Sequence, residues 1–296
     1  MQLMGAAMNT KPDVMGFFDK DTATWSYVVW DASLPEKPCA IIDSVLDFDL
    51  SSGRSRTDSA DRLISFIKEN QLTTQWILET HIHADHLTAS AYLKEKLGGK
   101  AAISKHILKV IETWEPLFNS SADTPLTGYQ FDHLFDDDEM FKIGSIDAKI
   151  FHTPGHTPAD TTYLIGDSLF VGDSIFLPDV GTGRCDFPGG DAADSYESTR
   201  KLFALPDDTR LFVGHDYPPE NRAPACLTTV GEQKKLNVRV HEGISREEYV
   251  SKRRKDDAGK PVPELLLPSI QVNLRAGSFG MPVNGVRYVK IPVDKI

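Results

Sequence analysis

Cysteine is scarce: Cys39, Cys185 and Cys226 are the only three, widely spaced and without a C-x-x-C pair. An odd, scattered set offers no disulfide framework and fits a reducing compartment. Cys39 and Cys226 read as packing residues, while the role of Cys185 is open. Positive charge is also in short supply, with 32 basic against 43 acidic side chains and a formal net charge of −11. Nucleic-acid binding needs a basic stripe to neutralise phosphates, so no nucleic-acid partner is expected. The one basic run, Lys252-Arg253-Arg254-Lys255, is followed at once by Asp256-Asp257 and reads as a solvated helix face. No apolar stretch approaches the roughly 18 to 20 residues of a membrane helix, and no membrane partner is expected. Residues 1–9 lack a positive n-region and the first arginine is Arg54, which fits neither a secretory signal nor an Arg-rich transit peptide. The expected location is therefore cytoplasmic.

There is no internal repeat and no low-complexity linker. With 40% hydrophobic and 25% charged residues, the composition is that of an ordinary globular protein. The expectation is one domain over 1–296, with 1–15 as a flexible N-terminus. Bulky and β-branched clusters predict strands at 25–30 and 40–42, and further short strands at 140–143, 148–151, 161–165 and 169–171. Asp58-Ser59 is positioned to cap a helix carrying Leu63, Ile64 and Ile67 on one face. Helices are also expected over 85–97, stopped by Gly98-Gly99, and near 192–205, 228–236 and 246–255. Strands and helices are mixed, and many strands lie only a few residues apart. That pattern suggests two sheets packed face to face with helices outside, an α/β (α+β) arrangement.

Four short apolar runs each end within five residues of a His or Asp. Trp76-Ile77-Leu78 leads to His81, Lys149-Ile150-Phe151 to His156, Leu169-Phe170-Val171 to Asp173, and Leu211-Phe212-Val213 to His215. Strands delivering such side chains past their C-terminal ends would gather them on one rim, held rigidly enough for a metal site. The densest motif is Thr80-His81-Ile82-His83-Ala84-Asp85-His86. Imidazole suits Zn, Fe, Ni and Cu, and a carboxylate adds neutralising charge. Five of the nine histidines fall in these motifs. His106, His133, His152 and His241 lack such a setting and read as surface or structural residues.

These motifs resemble the signature of the metallo-β-lactamase superfamily, T-H-x-H-x-D-H followed by single His, Asp and His ligands. The resemblance covers the chain from about Trp25 onward. It implies a four-layer αββα sandwich with the metal site at one edge of the two sheets. All seven ligand positions of its dinuclear members are present: His81, His83, His156, Asp85, His86, His215 and the bridging Asp173.

A narrower resemblance is to the persulfide dioxygenases. It rests on the run from Glu79 to Ser90, Pro154-Gly155-His156-Thr157-Pro158, Gly172-Asp173-Ser174, Gly183-Arg184-Cys185-Asp186-Phe187 and Gly214-His215-Asp216-Tyr217. It implies one Fe(II) per chain on a facial triad of His81, His156 and Asp173, with glutathione persulfide and O2 as substrates. His83, Asp85, His86 and His215 would then orient the ligands and line the pocket, or hold a second metal. Arg184, Tyr217 and, on weaker grounds, Arg275 are the expected substrate-binding residues. A homodimer is an open expectation.

The alternative is a glyoxalase II-like thioester hydrolase with zinc or another dinuclear site, whose bridging hydroxide attacks a thioester carbonyl. Glyoxalase II usually carries a bulkier residue where Ala84 stands and appends a helical glutathione-binding region. A third reading is a non-catalytic metal-binding protein of the same fold. The same ligand set serves hydrolases and oxidoreductases, so fold alone does not choose among them.

Overall fold

The computed structural model describes residues 11–220 and 222–295. Most of the N-terminal segment expected to be flexible lies outside the described residues, but Asp13 to Met15 belong to the first strand. Along the chain run β1 (Asp13–Asp19), β2 (Thr24–Trp30), β3 (Pro38–Ile42), β4 (Val45–Asp49), β5 (Arg54–Arg56), α1 (Asp58–Glu69) and β6 (Thr73–Leu78). Then come β7 (Leu87–Thr88), α2 (Ser90–Leu97), β8 (Lys100–Ser104), α3 (Ile107–Phe118), β9 (His133–Phe135), β10 (Met140–Ile143) and β11 (Ile146–His152). The remainder is β12 (Thr161–Ile165), β13 (Ser168–Phe170), α4 (Ala192–Phe203), β14 (Arg210–Phe212), β15 (Leu227–Thr229), α5 (Val230–Leu236), α6 (Arg246–Asp257) and α7 (Leu266–Asn273).

Two six-stranded sheets form, in the orders β1-β2-β3-β6-β8-β9 and β10-β11-β12-β13-β14-β15. A small third sheet joins β5, β4 and β7. Between the large sheets, Tyr27, Val29, Ala40, Ile42 and Leu78 meet Ile150, Tyr163, Ile165, Phe170 and Phe212 in one buried cluster. The alternate residues face outward under helices, as the two-residue period of a strand requires. Val28, Cys39, Ile41 and Ile77 pack with Leu63, Ile64 and Ile67 of α1 and Leu93 of α2. Leu164, Leu169 and Leu211 pack with Leu202 and Phe203 of α4 and Tyr249 of α6. The result is the expected αββα layering. Burial on both faces also explains why these strands read as unbroken apolar runs.

Several local expectations change. The second helix begins at Ser90, five residues later than predicted, because Leu87 and Thr88 pair with Leu46 and Val45 of β4. That pairing holds Asp85 and His86 in a loop. Thr57, not Asp58 or Ser59, precedes α1, and the Ser59 N–H is bound by the Asp47 carboxylate at 3.0 Å. The basic run is only partly solvated. Lys252, Arg254 and Lys255 are exposed, but Arg253 is buried in an ion pair with Asp257. His106 and His152 stack at 3.7 Å, and His133 bonds Glu139 at 2.7 Å.

The topology sets up the rim. Within the second sheet β11 and β13 are both antiparallel to β12, and β14 is parallel to β13. Their C-terminal ends therefore emerge at one edge. The ligand loops are tied across the sandwich by backbone hydrogen bonds, Thr161 N–H to Thr80 C=O at 2.9 Å and Trp25 N–H to Gly214 C=O at 2.8 Å.

Candidate metal centre

His81, His156 and Asp173 converge, with one donor atom from each lying within 4.8 Å of the others. His83, Asp85 and His215 form a second group by the same measure. The groups touch: His215 Nε2 lies 3.2 Å from Asp85 Oδ2 and 3.4 Å from Asp173 Oδ1, and His156 Nε2 lies 3.6 Å from Asp173 Oδ2. Even so, Asp85 Oδ2, Asp173 Oδ1, His81 Nε2, His83 Nδ1 and His86 Nε2 are buried without a hydrogen-bond partner. Orphaned buried donors and acceptors are costly in a native fold. Lone pairs that crowd together yet miss one another are satisfied by a cation at their common centre, so the donor set fits a bound metal.

Each imidazole is fixed by its other nitrogen. His156 Nδ1 bonds the Arg184 carbonyl at 2.6 Å, His86 Nδ1 the Leu87 carbonyl at 3.2 Å, and His215 Nδ1 the Ala23 carbonyl at 3.2 Å. A carbonyl only accepts, so the proton sits on Nδ1 and Nε2 keeps its lone pair for a metal. His83 is turned the other way: its Nε2 meets Asp43 at 3.1 Å and Glu79 at 3.5 Å, leaving Nδ1 free.

Asp43 is a residue the sequence reading missed. It sits one residue past β3 in the left-handed region, φ 51°. Its Oδ1 accepts the Thr80 N–H at 2.8 Å, and its Oδ2 accepts the Thr80 hydroxyl at 2.9 Å. With its hydrogen spent on Asp43, Thr80 Oγ1 accepts from His81 Nδ1 at 2.9 Å. One buried carboxylate thus sets both Thr80 and the His81 tautomer. The signal was available: Ala40-Ile41-Ile42 also ends directly in an Asp, like the four runs that deliver ligands.

Glycine lets the ligand loops approach. A Cβ on Gly172, at φ +50°, would lie 2.5 Å from Thr80 Oγ1. One on Gly214 would lie 2.9 Å from Asp173 Oδ1. The electrostatics follow from burial and neighbours. Burial, then the nearby His83, pushes His81 well below the ordinary imidazole value. Burial likewise takes His86 down to about 4. Burial opposes the charged form of His83, but the adjoining Asp43 and Glu79 outweigh it and hold His83 well above its usual value. Burial would raise Asp85, yet His215 and His86 bring it down to about 2.

The donors open into a cavity of about 310 Å³, within the ~300–1,000 Å³ typical of small-molecule sites. Ala84, Asp85, His156 and Asp173 line it together with Phe176, Phe187, Arg184 and Tyr217. Arg184 lines the wall, but its guanidinium forks onto Asp186 at 2.6 and 2.7 Å and bonds the Pro261 carbonyl at 2.8 Å. Tyr217 stacks on His215 with ring centres 5.8 Å apart. Arg275 does not line this cavity. It is buried beside the 120–124 loop, with Nε donating to Thr124 Oγ1 at 3.1 Å.

Known proteins agree with the fold. The metallo-beta-lactamase superfamily pattern matches residues 19–215. The chain is 46% identical over 294 residues to a protein named "Probable metallo-hydrolase" from Burkholderia pseudomallei (strain 1710b), covering 96% of this chain and 99% of that one. It is 44% identical to "Glyoxylase B2" of Dictyostelium discoideum, covering 97% and 99%. It is 29% identical to the mitochondrial persulfide dioxygenase ETHE1 of Homo sapiens, covering 88% and 87%. The crystal structure of ETHE1 from Myxococcus xanthus superposes with a TM-score of 0.71 at 28% identity, covering 90% of this chain and all of that one. Two packed sheets, a rim of histidines and aspartates, and these likenesses together place the chain in the metallo-β-lactamase superfamily.

Proposed function

We propose that this protein is an Fe(II)-dependent persulfide dioxygenase that oxidises glutathione persulfide with O2. One observation carries the reading: two imidazoles and one carboxylate, from His81, His156 and Asp173, bring donor atoms within 4.8 Å of one another. Two histidines and a carboxylate on one face are the donor set of non-haem iron oxygenases, which leave positions open for substrate and O2. The likeness to ETHE1 in sequence and structure supports it. A ferrous ion held there supplies redox chemistry that zinc lacks. The overall change balances as persulfide, O2 and water giving thiol, sulfite and two protons. The terminal sulfur takes both oxygens of O2, and water supplies the third oxygen of sulfite.

The chain's own residues divide the remaining work. Thr80 and the Arg184 carbonyl fix the free nitrogens of His81 and His156. Phe176 and Phe187 give the cavity apolar walls, which limit water around a reactive sulfur. We assign Arg184 and Tyr217 to the substrate wall.

A glutathione thioester hydrolase is the second reading. It is favoured by the second donor group, His83, Asp85 and His215, and by the hydrolase and glyoxylase names of the relatives at 44–46% identity. The deciding experiment offers the purified protein glutathione persulfide in an oxygen electrode and S-lactoylglutathione in a hydrolysis assay. Persulfide-dependent O2 uptake with sulfite formation supports the dioxygenase. Thioester cleavage without uptake overturns it in favour of the hydrolase. Neither activity in a metal-loaded protein leaves a non-catalytic metal-binding protein.

A further inference from the structure

A second part of the cavity wall is cationic. Arg184, Arg239, Arg253 and Lys260 line the same cavity as the donors His156 and Asp173. Their acidic partners number three: Asp186 for Arg184, Asp256 for Arg239, and Asp257 for both Arg253 and Lys260. Asp257 is heavily committed. It receives the Arg253 guanidinium, with Nε at 2.8 Å, and the Cys185 N–H at 2.9 Å, and it meets Lys260 Nζ at 3.2 Å. Arg253 is locked in place, its side chain 2% exposed and also bonded to the Thr182 carbonyl at 3.3 Å. Away from Asp85 and Asp173 at the donor end, these four cations share three carboxylates as direct partners among the described residues, which leaves one positive charge over in this part of the wall. It falls on Lys260, whose side chain is 41% exposed and shows one acceptor for its three N–H groups.

We propose that Lys260 binds a carboxylate of the substrate and so selects thiol carriers whose carboxylates stand away from the sulfur. Arg184, the cation singled out by sequence, has its fork filled by Asp186; among the described residues the exposed wall cation with N–H groups to spare is Lys260, 76 residues further on in the chain. The inference rests on the proposed function only for the chemistry at the sulfur end. A glutathione thioester would present the same carboxylates, so the two ideas fail separately.

The test measures binding without turnover. S-methylglutathione and its diethyl ester are titrated by calorimetry into the metal-loaded full chain and into Lys260→Gln and Lys260→Arg. A charge-assisted hydrogen bond in a partly solvated cavity is worth about tenfold in affinity. Lys260→Gln is expected to weaken the diacid about tenfold and leave the diester unchanged, while Lys260→Arg keeps most of the preference. KM for glutathione persulfide should rise by a similar factor with kcat unchanged. Equal affinity of the wild type for diacid and diester, or a Lys260→Gln protein that still prefers the diacid fully, overturns the proposal. Intact discrimination without O2 uptake upholds it and sinks only the dioxygenase reading.

Discussion

Replacing Asp43 by Asn tests whether a carboxylate that touches no substrate controls the metal site. Asn keeps one oxygen, which takes the place of Oδ1 and still accepts from Thr80 N–H and His83 Nε2, at 2.8 and 3.1 Å in the wild type. Its amide NH2 then falls where Oδ2 stood, 2.9 Å from Thr80 Oγ1. Two donors cannot face each other, so Thr80 must accept there and turn its hydrogen toward His81 Nδ1. That moves the His81 proton to Nε2, the atom now buried and free for a metal. Loss of such a supporting partner typically costs 10–100-fold in metal affinity, or about 1.4–2.7 kcal/mol. The assay is chelator competition on folded protein. Tyr163→Phe is the control: its hydroxyl donates to the Glu79 carbonyl at 2.9 Å, a backbone acceptor and not an imidazole. It should cost about 1 kcal/mol of stability and no metal affinity. A folded Asp43→Asn protein with unchanged affinity would refute the relay.

Three further outcomes follow from the same geometry. Asp173→Ala removes the only anionic member of the triad and should abolish metal retention through desalting, read by elemental analysis; full retention would void the triad. Gly172→Ala places a Cβ 2.5 Å from Thr80 Oγ1 at φ +50°, a backbone that alone costs about 1–2 kcal/mol, so thermal unfolding should drop by several degrees. An unchanged midpoint would mean the loop yields easily. Burial holds His86 near 4, so between pH 6.5 and about 4 the unfolded chain binds a proton on His86 that the folded chain does not. As pH falls through that window, the metal-free wild type should lose up to about 3 kcal/mol relative to His86→Gln. Parallel stability curves for the two proteins would contradict this.

The fold was legible because its central strands are buried on both faces. Ile41, Ile42, Leu169 and Phe170 announce themselves as apolar whichever way they point. The candidate donors were legible because His81, His156, Asp173 and His215 each follow such a run within five residues. What escaped was set by contacts across the sequence. Asp43 gains its meaning only when β3 lies beside β6 and Thr80 comes within reach. The start of α2 depends on β4 claiming Leu87 and Thr88. Arg184 carries its own counter-charge two residues on, and Arg275 is drawn toward Asp123 and Thr124 instead of the cavity. The helix over Ile107–Phe118 was legible in principle, since Ile107, Val110, Ile111, Trp114 and Phe118 repeat at helical spacing.

The proposed function rests on a single redox-active ion at His81, His156 and Asp173. Counting metals per chain in protein isolated without oxygen tests it most directly, alongside oxygen consumption on adding glutathione persulfide. A persulfide dioxygenase should hold about one iron per chain and consume oxygen in proportion to its iron content. Two tightly held zinc ions per chain, with no oxygen consumed, would contradict it.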